Sequence, residues 1–240
     1  FEAMGRPELG VFIGAGNLDS MVAHYTAAKK RRGEDFYSPG RKAGLRPDRA
    51  CTVYANRARQ AFPGIPVLLG GMEASLRRFA HYDYWDDKVR RSVIFDARAD
   101  ILVYGMGERA TLEAANRLRD GKPLRGIRGT AVIADKAPEG AVILPSFEQV
   151  RDDKKQYALA TRAEYAEHDP IRGKTLAQAH GDKCLVVYPP AAPLKTEELD
   201  AVAALPYTRE PHPMYEPLGG VPAIEEVRFS VIHNRGCFGG

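Results

Sequence analysis

An α/β fold, with parallel strands covered by helices, is what the sequence predicts, and three observations carry it. Three short β-rich apolar runs each end in glycine: Gly10-Val11-Phe12-Ile13-Gly14, Ile65-Pro66-Val67-Leu68-Leu69-Gly70-Gly71 and Ala99-Asp100-Ile101-Leu102-Val103-Tyr104-Gly105. Such runs read as buried strands that empty into loops. Helical patterns separate or follow them, and the resulting strand-helix-strand-helix order places candidate sites in the loops at the carboxyl ends of the strands.

The elements follow in order. Between the first two runs, Cys51, Tyr54, Ala55, Ala58 and Phe62 fall at helical spacing behind Asp48, and Pro63-Gly64 stops that helix. After the third run, residues 108–118 form a strong helix closed by Gly121. Thr130-Ala131-Val132-Ile133, Ala141-Val142-Ile143-Leu144 and Cys184-Leu185-Val186-Val187-Tyr188 read as further strands, with a polar helix near 147–168 and another over 196–205. Pro206, Pro211, Pro213, Pro217, Pro222 and Gly219-Gly220 mark an extended linker. Beyond it, Val227-Arg228-Phe229-Ser230-Val231-Ile232-His233 alternates as a new strand. The expected divisions are 1–135 for the α/β domain, 136–205 for an accessory α/β and helical segment, 206–222 for the linker and 223–240 for the start of a second domain.

Composition excludes several classes. The chain has 240 residues, 44% hydrophobic and 28% charged, as in ordinary soluble folds and unlike rods or disordered tails. No stretch approaches the ~18 apolar residues of a membrane span, and the first residues lack a signal-peptide core, so the chain reads as cytoplasmic with no membrane partner. A formal charge of +4 is too small to be an electrostatic footprint for nucleic acid. Three cysteines, Cys51, Cys184 and Cys237, are an odd set at wide spacing, which suits a reducing compartment. The opening at Phe1 and the stop at Gly239-Gly240 read as the ends of a fragment.

The common motifs fail on inspection. Gly14-Ala15-Gly16 invites a dinucleotide reading, but the third glycine of G-x-G-x-x-G would be Asp19, whose carboxylate repels a pyrophosphate. Gly173-Lys174-Thr175 lacks the upstream glycine of a phosphate loop, and the six histidines show no metal-pair spacing. Arg77-Arg78-Phe79-Ala80-His81-Tyr82-Asp83-Tyr84-Trp85, followed by Arg90-Arg91, interleaves cations with aromatics, as an interface or an RNA-binding surface does. Cys51 and Cys184 lie in apolar patterns and behave as small buried hydrophobes. Cys237 differs, since Gly236, Gly239 and Gly240 would let the main chain wrap an inorganic group.

Several stretches together carry a resemblance: Gly16-Asn17-Leu18-Asp19-Ser20-Met21, Leu69-Gly70-Gly71-Met72-Glu73-Ala74-Ser75-Leu76-Arg77-Arg78, His81-Tyr82-Asp83-Tyr84-Trp85, Leu144-Pro145-Ser146-Phe147-Glu148, and Arg228-Phe229-Ser230-Val231 running to Arg235-Gly236-Cys237-Phe238-Gly239-Gly240. Along essentially its whole length the chain resembles the YgiQ-like radical S-adenosylmethionine proteins. The resemblance implies a Rossmann-like α/β domain similar to cobalamin-binding domains, incomplete at its N-terminus, with helices on both faces of a parallel sheet, followed by the first strand of a radical SAM β/α barrel. It implies an iron-sulfur enzyme with a four-iron four-sulfur cluster and S-adenosylmethionine as cofactors, and a deoxyadenosyl radical as the product of cosubstrate cleavage.

Under the same resemblance Cys237 matches the first cysteine of the family's C-x-x-x-C-x-x-C cluster motif, and this fragment alone is inactive. Gly70, Gly71, Glu73, Gly105, Gly107 and Glu108 would line a ligand or substrate cleft at strand ends. The usual D-x-H-x-x-G histidine of cobalamin proteins is not found, which argues against cobalamin. The implied partners are the protein's own C-terminal barrel and an electron donor such as flavodoxin or ferredoxin. Two other functions stand beside this one: a non-catalytic module binding a corrinoid, a nucleotide or a partner protein, and an RNA-modifying protein using the Arg77 to Arg91 cluster.

Overall fold

A computed structural model describes residues 1–16 and 18–230. Among them the chain forms, in order, β1 (Val11–Ile13), α1 (Ser20–His24), α2 (Ala50–Ala61), β2 (Val67–Leu69), α3 (Gly71–Leu76), β3 (His81–Asp83), β4 (Lys88–Arg90), α4 (Val93–Ala97), β5 (Ile101–Val103) and α5 (Glu108–Arg119). Then come β6 (Thr130–Ala134), β7 (Val142–Leu144), α6 (Phe147–Asp152), α7 (Lys154–Ala166), β8 (Leu176–His180), β9 (Lys183–Val187), α8 (Thr196–Ala203) and α9 (Ile224–Val227). The three glycine-ended runs are β1, β2 and β5, and they are adjacent strands of one seven-stranded sheet of order β1-β2-β5-β6-β9-β8-β7.

Strand parity builds the layers. Val67, Leu69 and Leu102 point to one face with Ala131, Leu185 and Val187, where Ala55 and Ala58 of α2 and Ile94 of α4 cover them. Leu68, Ile101 and Val103 point to the other with Val132 and Val186, against Ala110 and Ala114 of α5. Period-two alternation with apolar residues on both faces is the mark of a sheet buried on both sides. Leu68, Leu69, Ile101 and Leu102 are at most 1% exposed, and each contributes roughly 2 kcal/mol of apolar burial.

The sheet is mixed rather than parallel throughout. The pairs β1/β2, β2/β5 and β7/β8 are parallel, whereas β5/β6, β6/β9 and β8/β9 are antiparallel. The β8–β9 connection is only Gly181-Asp182, with Gly181 at φ +64°, and a two-residue turn can join only antiparallel neighbours. The boundary expected at 135 likewise does not divide the sheet, because β7, β8 and β9 extend it beyond β6. Several elements were not expected: the short helices α1, α3 and α4, the strand β8, whose Leu-Ala-Gln-Ala-His has little β-propensity, and the β3–β4 hairpin. The polar helix near 147–168 is two helices, broken where Asp153 takes an extended conformation and caps α7 by accepting from the Lys155 N–H.

The chain divides into two compact units, one of Phe1–Met21 with Asp48–Leu194, the other of Val22–Pro47 with the segment from Lys195 onward. In the second unit the proline-rich segment is not an extended linker. Pro213–Leu218 is a 3-10 helix, the Gly40 N–H donates to the Gly220 carbonyl at 2.9 Å, and a Cβ at Gly40 would lie 2.5 Å from the Leu218 carbonyl oxygen. Asp35 anchors the same unit. Its carboxylate accepts from Ser38 Oγ at 2.7 Å and from Arg46; burial alone would raise its pKa, but these bonds hold it below the usual carboxylate range. Val227, expected to open a strand, instead ends α9, which starts behind Pro222 with Glu225 and Glu226 in its first turn, and that is helix-start chemistry. The rest of the expected strand and the barrel start, 231–240, lie outside the described residues.

Candidate functional site

The candidate site is a crevice of about 300 Å³ at the carboxyl ends of β1, β2 and β5. Phe12 pairs with Leu68 in the parallel register, so both, with Val103, face the α5 side of the sheet. These side chains form the crevice wall together with Thr111 of α5, while Gly14, Gly70, Gly71, Gly105 and Gly107 supply bare main chain. Gly71 and Gly105 have φ of +79° and +65°, a region that L side chains rarely adopt. A Cβ on Gly107 would meet Val103 Cγ1 at 2.8 Å, so glycine there lets α5 start close to β5.

Of the residues singled out in the sequence, Gly70, Gly71, Gly105 and Gly107 come together here. Glu73 does not: it is 1% exposed, and its two oxygens accept the backbone N–H groups of Ser20 and Cys51 at 2.9 Å each. Its carboxylate therefore stitches α1 and α2 to α3, a task that follows from α2 beginning behind Arg49 with no side-chain cap of its own. Glu108 opens α5 beside Gly107 without lining the crevice. Cys237 lies outside the described residues. Phe12 and Thr111 were not singled out, and Gly14 entered only through the failed dinucleotide motif, although it ends β1 as Gly70 ends β2, and that parallel was the signal available.

The neighbourhood is built to be rigid. Asp19, 3% exposed, pairs with Arg77 and accepts the Met21 N–H at 2.9 Å, so the turn after β1 is a carboxylate-organised corner and not a phosphate loop. The cations of the Arg77 to Arg91 cluster are used inside the fold. Arg90 and Arg49 both reach Asp83 at 2.8 Å, Arg91 pairs with Asp96 at 2.7 Å, and Arg78 donates to the Ser75 carbonyl at 2.7 Å while lying 4.8 Å over the Tyr104 ring. A surface that binds a polyanion needs cations that face solvent, and Arg77, Arg90 and Arg91 of this cluster are paired with carboxylates of the fold.

A larger groove of about 710 Å³ runs along the outer side of α5 between Arg109 and Arg125. Its Arg117 is tied to Glu113 and to the carbonyls of Pro123 and Arg125, and its Lys122 to Asp120. The crevice is the better site because it sits where adjacent parallel strands end. Among the described residues no group of three or more His, Cys, Asp and Glu side chains is placed to hold a metal ion. Among the described residues no helix is long and apolar enough to cross a membrane.

The described fold and site define an α/β protein with helices on both sheet faces and a glycine-lined crevice at parallel strand ends. Its sequence matches the radical SAM N-terminal family model over residues 1–230, and the chain belongs to that family. It is 52% identical over 244 residues to a UPF0313 protein of Clostridium botulinum (strain 657 / Type Ba4), an alignment covering all of this chain and 38% of that protein. A UPF0313 protein of Clostridium perfringens (strain ATCC 13124) is 51% identical over 245 residues, covering all of this chain and 37% of that relative. The chain thus spans a little over a third of the length of these relatives. No solved structure matches it.

Proposed function

We propose that this chain is the N-terminal portion of a YgiQ-like radical S-adenosylmethionine enzyme, whose crevice forms one wall of the cleft where ligand or substrate is held. The observation that carries the reading is the family match across residues 1–230, reinforced by Cys237, which stands among Gly236, Gly239 and Gly240 in the sequence. The remainder of the protein and a one-electron donor such as flavodoxin or ferredoxin are the partners this reading requires.

A four-iron cluster needs thiolate ligands that are deprotonated and convergent. Cys51 and Cys184 are neither. Each is a buried free thiol, they belong to the clusters on opposite faces of the sheet, and burial pushes both thiols up, with the Glu73 carboxylate adding to the effect at Cys51. The described residues therefore do not fit the cluster. On this reading its ligands are Cys237 and thiolates from outside this chain, and the chain's own contribution is a rigid, glycine-lined surface. The crevice lining includes no histidine, which removes the usual lower ligand of a corrinoid.

The test uses the full-length protein, reconstituted without oxygen. Expected are about four irons and four sulfides per chain and release of 5′-deoxyadenosine from S-adenosylmethionine under reduction, with Cys237→Ala losing both. A full-length protein that takes up neither iron nor sulfide overturns the reading and leaves a binding module in its place.

A further inference from the structure

We propose that the crevice seats an uncharged, flat heteroaromatic ring, a nucleobase carried as free base or nucleoside, against the main chain of Gly14 and Gly70. This deepens the reading of the crevice as a ligand site and rests on it, but not on the cluster.

The cavity's glycines separate into two kinds. Gly71 and Gly105 are explained by positive φ, and Gly107 by the close approach of Val103. Gly14 and Gly70 have neither reason. Neither has a positive φ, a Cβ on Gly14 would meet nothing nearer than the Gly70 carbonyl oxygen at 3.7 Å, and one on Gly70 nothing nearer than the Val103 carbonyl oxygen at 3.9 Å. Both distances are ordinary contact, so the fold would accept a side chain at either place. Glycine is costly at a strand end because it gives up the most freedom on folding. Gly70 is also the N-cap of α3, a place glycine suits, but Gly14 has no such role; both residues line the crevice, and an occupant that touches bare main chain supplies the missing reason.

The chemistry of the walls selects the occupant. None of the lining residues is titratable, and Thr111 contributes the one side-chain hydroxyl among them. The two helices that start at the crevice carry acidic residues in their first turns, Glu73 in α3 and Glu108 in α5. The start of α5 is thus already supplied with negative charge, the Glu73 carboxylate is committed to the Ser20 and Cys51 N–H groups, and the lining offers a phosphate no cation. An uncharged ligand meets no such conflict.

Shape narrows the class. Ile13 and Leu69 are paired across β1 and β2, so Gly14 and Gly70 follow as neighbours and their peptide planes form a low shelf. The Phe12 ring beside it is 45% exposed, an aromatic wall open to stacking. A volume of about 300 Å³ is at the lower end for ligand pockets and suits one ring system with a sugar, not a dinucleotide.

The experiment uses full-length protein purified in air without a cluster, so that failure of the radical chemistry leaves its readout untouched. Adenine, adenosine and AMP are the probes, followed by saturation transfer from protein methyls to the ring protons and by thermal shift. Expected are transfer to the ring protons of adenine and adenosine, AMP weaker by about tenfold, and a loss of about tenfold in adenosine affinity in Gly14→Ala/Gly70→Ala, whose unliganded melting temperature equals or exceeds that of the wild type. No transfer to either uncharged probe, or transfer unchanged in the double variant, overturns the proposal. A lowered melting temperature of the unliganded variant overturns it too, because another part of the protein would then already occupy the shelf.

Discussion

The Glu73 carboxylate accepts the Cys51 N–H at 2.9 Å, so a side chain of α3 caps the start of α2. The same carboxylate accepts the Ser20 N–H, and Ser20 Oγ accepts the Ala50 N–H at 3.1 Å, so two helix starts share one buried anion. The first N–H groups of a helix have no partner inside it, and leaving them buried without an acceptor costs the full desolvation penalty. Glu73→Gln keeps the shape but offers one carbonyl for two donors. It is expected to lose about 2–3 kcal/mol, with Glu73→Ala losing more. Urea unfolding measures the loss, and faster amide exchange at Ser20 and Cys51 locates it. A Gln variant as stable as the wild type would rule out the shared cap.

How far the sequence reveals this site depends on what each signal encodes. The strand ends were legible because Gly14, Gly70 and Gly105 each follow an apolar run, and local pattern is enough to mark them. The role of Glu73 was not: in sequence it is one carboxylate in a glycine-led turn, and only the fold brings Ser20 and Cys51, 53 and 22 residues away, to its two oxygens. Strand direction was lost for the same reason. The apolar runs of β6 and β9 look like those of β2 and β5; their antiparallel pairing is set by long-range register, and that of β8 with β9 by the tight turn at Gly181, neither of which leaves a mark in hydrophobic period. In the Arg77 to Arg91 cluster, spacing shows charges but not their partners.

His180 gives the fold a sensitivity to acid. Its imidazole is sandwiched between Phe95, at 4.6 Å and 29°, and Phe147, at 5.4 Å and 7°. Nε2 meets Gln178 Oε1 at 3.1 Å, which assigns the proton to Nε2, while buried Nδ1 has no hydrogen-bond partner among the described residues. Burial pushes the pKa down to about 4. Between that value and the ~6.5 of an unfolded histidine the unfolded chain binds more protons, so stability falls as pH drops from 6.5 to 4. The loss is about 3 kcal/mol at full extent. Comparing urea midpoints of the wild type and His180→Leu at pH 7.5 and 4.5 isolates it, and equal pH dependence in the two would contradict it.

Glu164 acts with the opposite sign. On α7, beside Arg78, Tyr104 and Tyr188, it is pushed up to about 7 by burial, against the pull of the Arg78 charge. The folded chain therefore binds more protons between about 4.5 and 7, and the stability of the protonated form, full below 4.5, is lost as pH rises through 7. Glu164→Gln is expected to gain about 1–2 kcal/mol at pH 8, after discounting for partial exposure, and nothing at pH 4. Over pH 4.5 to 6.5 the slopes of His180 and Glu164 oppose each other, so the wild-type profile is flatter than either variant's. A Gln variant no more stable at pH 8 would mean that Arg78 already stabilises the ionised carboxylate.

Asp83 organises the β3–β4 hairpin. Only 5% exposed, it faces Arg49 and Arg90 at 2.8 Å each and accepts the N–H groups of Trp85 at 3.0 Å and Asp86 at 3.3 Å. Burial alone would raise its pKa, but the Arg49 bond and the Asp86 N–H hold it below the usual carboxylate range. Its stabilising contribution is therefore present above the unfolded value near 3.9 and fades as pH falls below it. Asp83→Asn keeps the volume and removes the charge, leaving two guanidinium groups against each other with only the exposed Asp86 between them. Breaking a buried pair in this way costs about 3–5 kcal/mol. Trp85, the single tryptophan of the chain, sits two residues away with Tyr84 edge-on to it at 5.6 Å, so its emission reports on the hairpin directly. A red-shifted emission together with lowered stability at pH 7 is expected of Asp83→Asn, whereas unshifted emission with stability within about 0.5 kcal/mol of the wild type would place the organisation of the hairpin elsewhere.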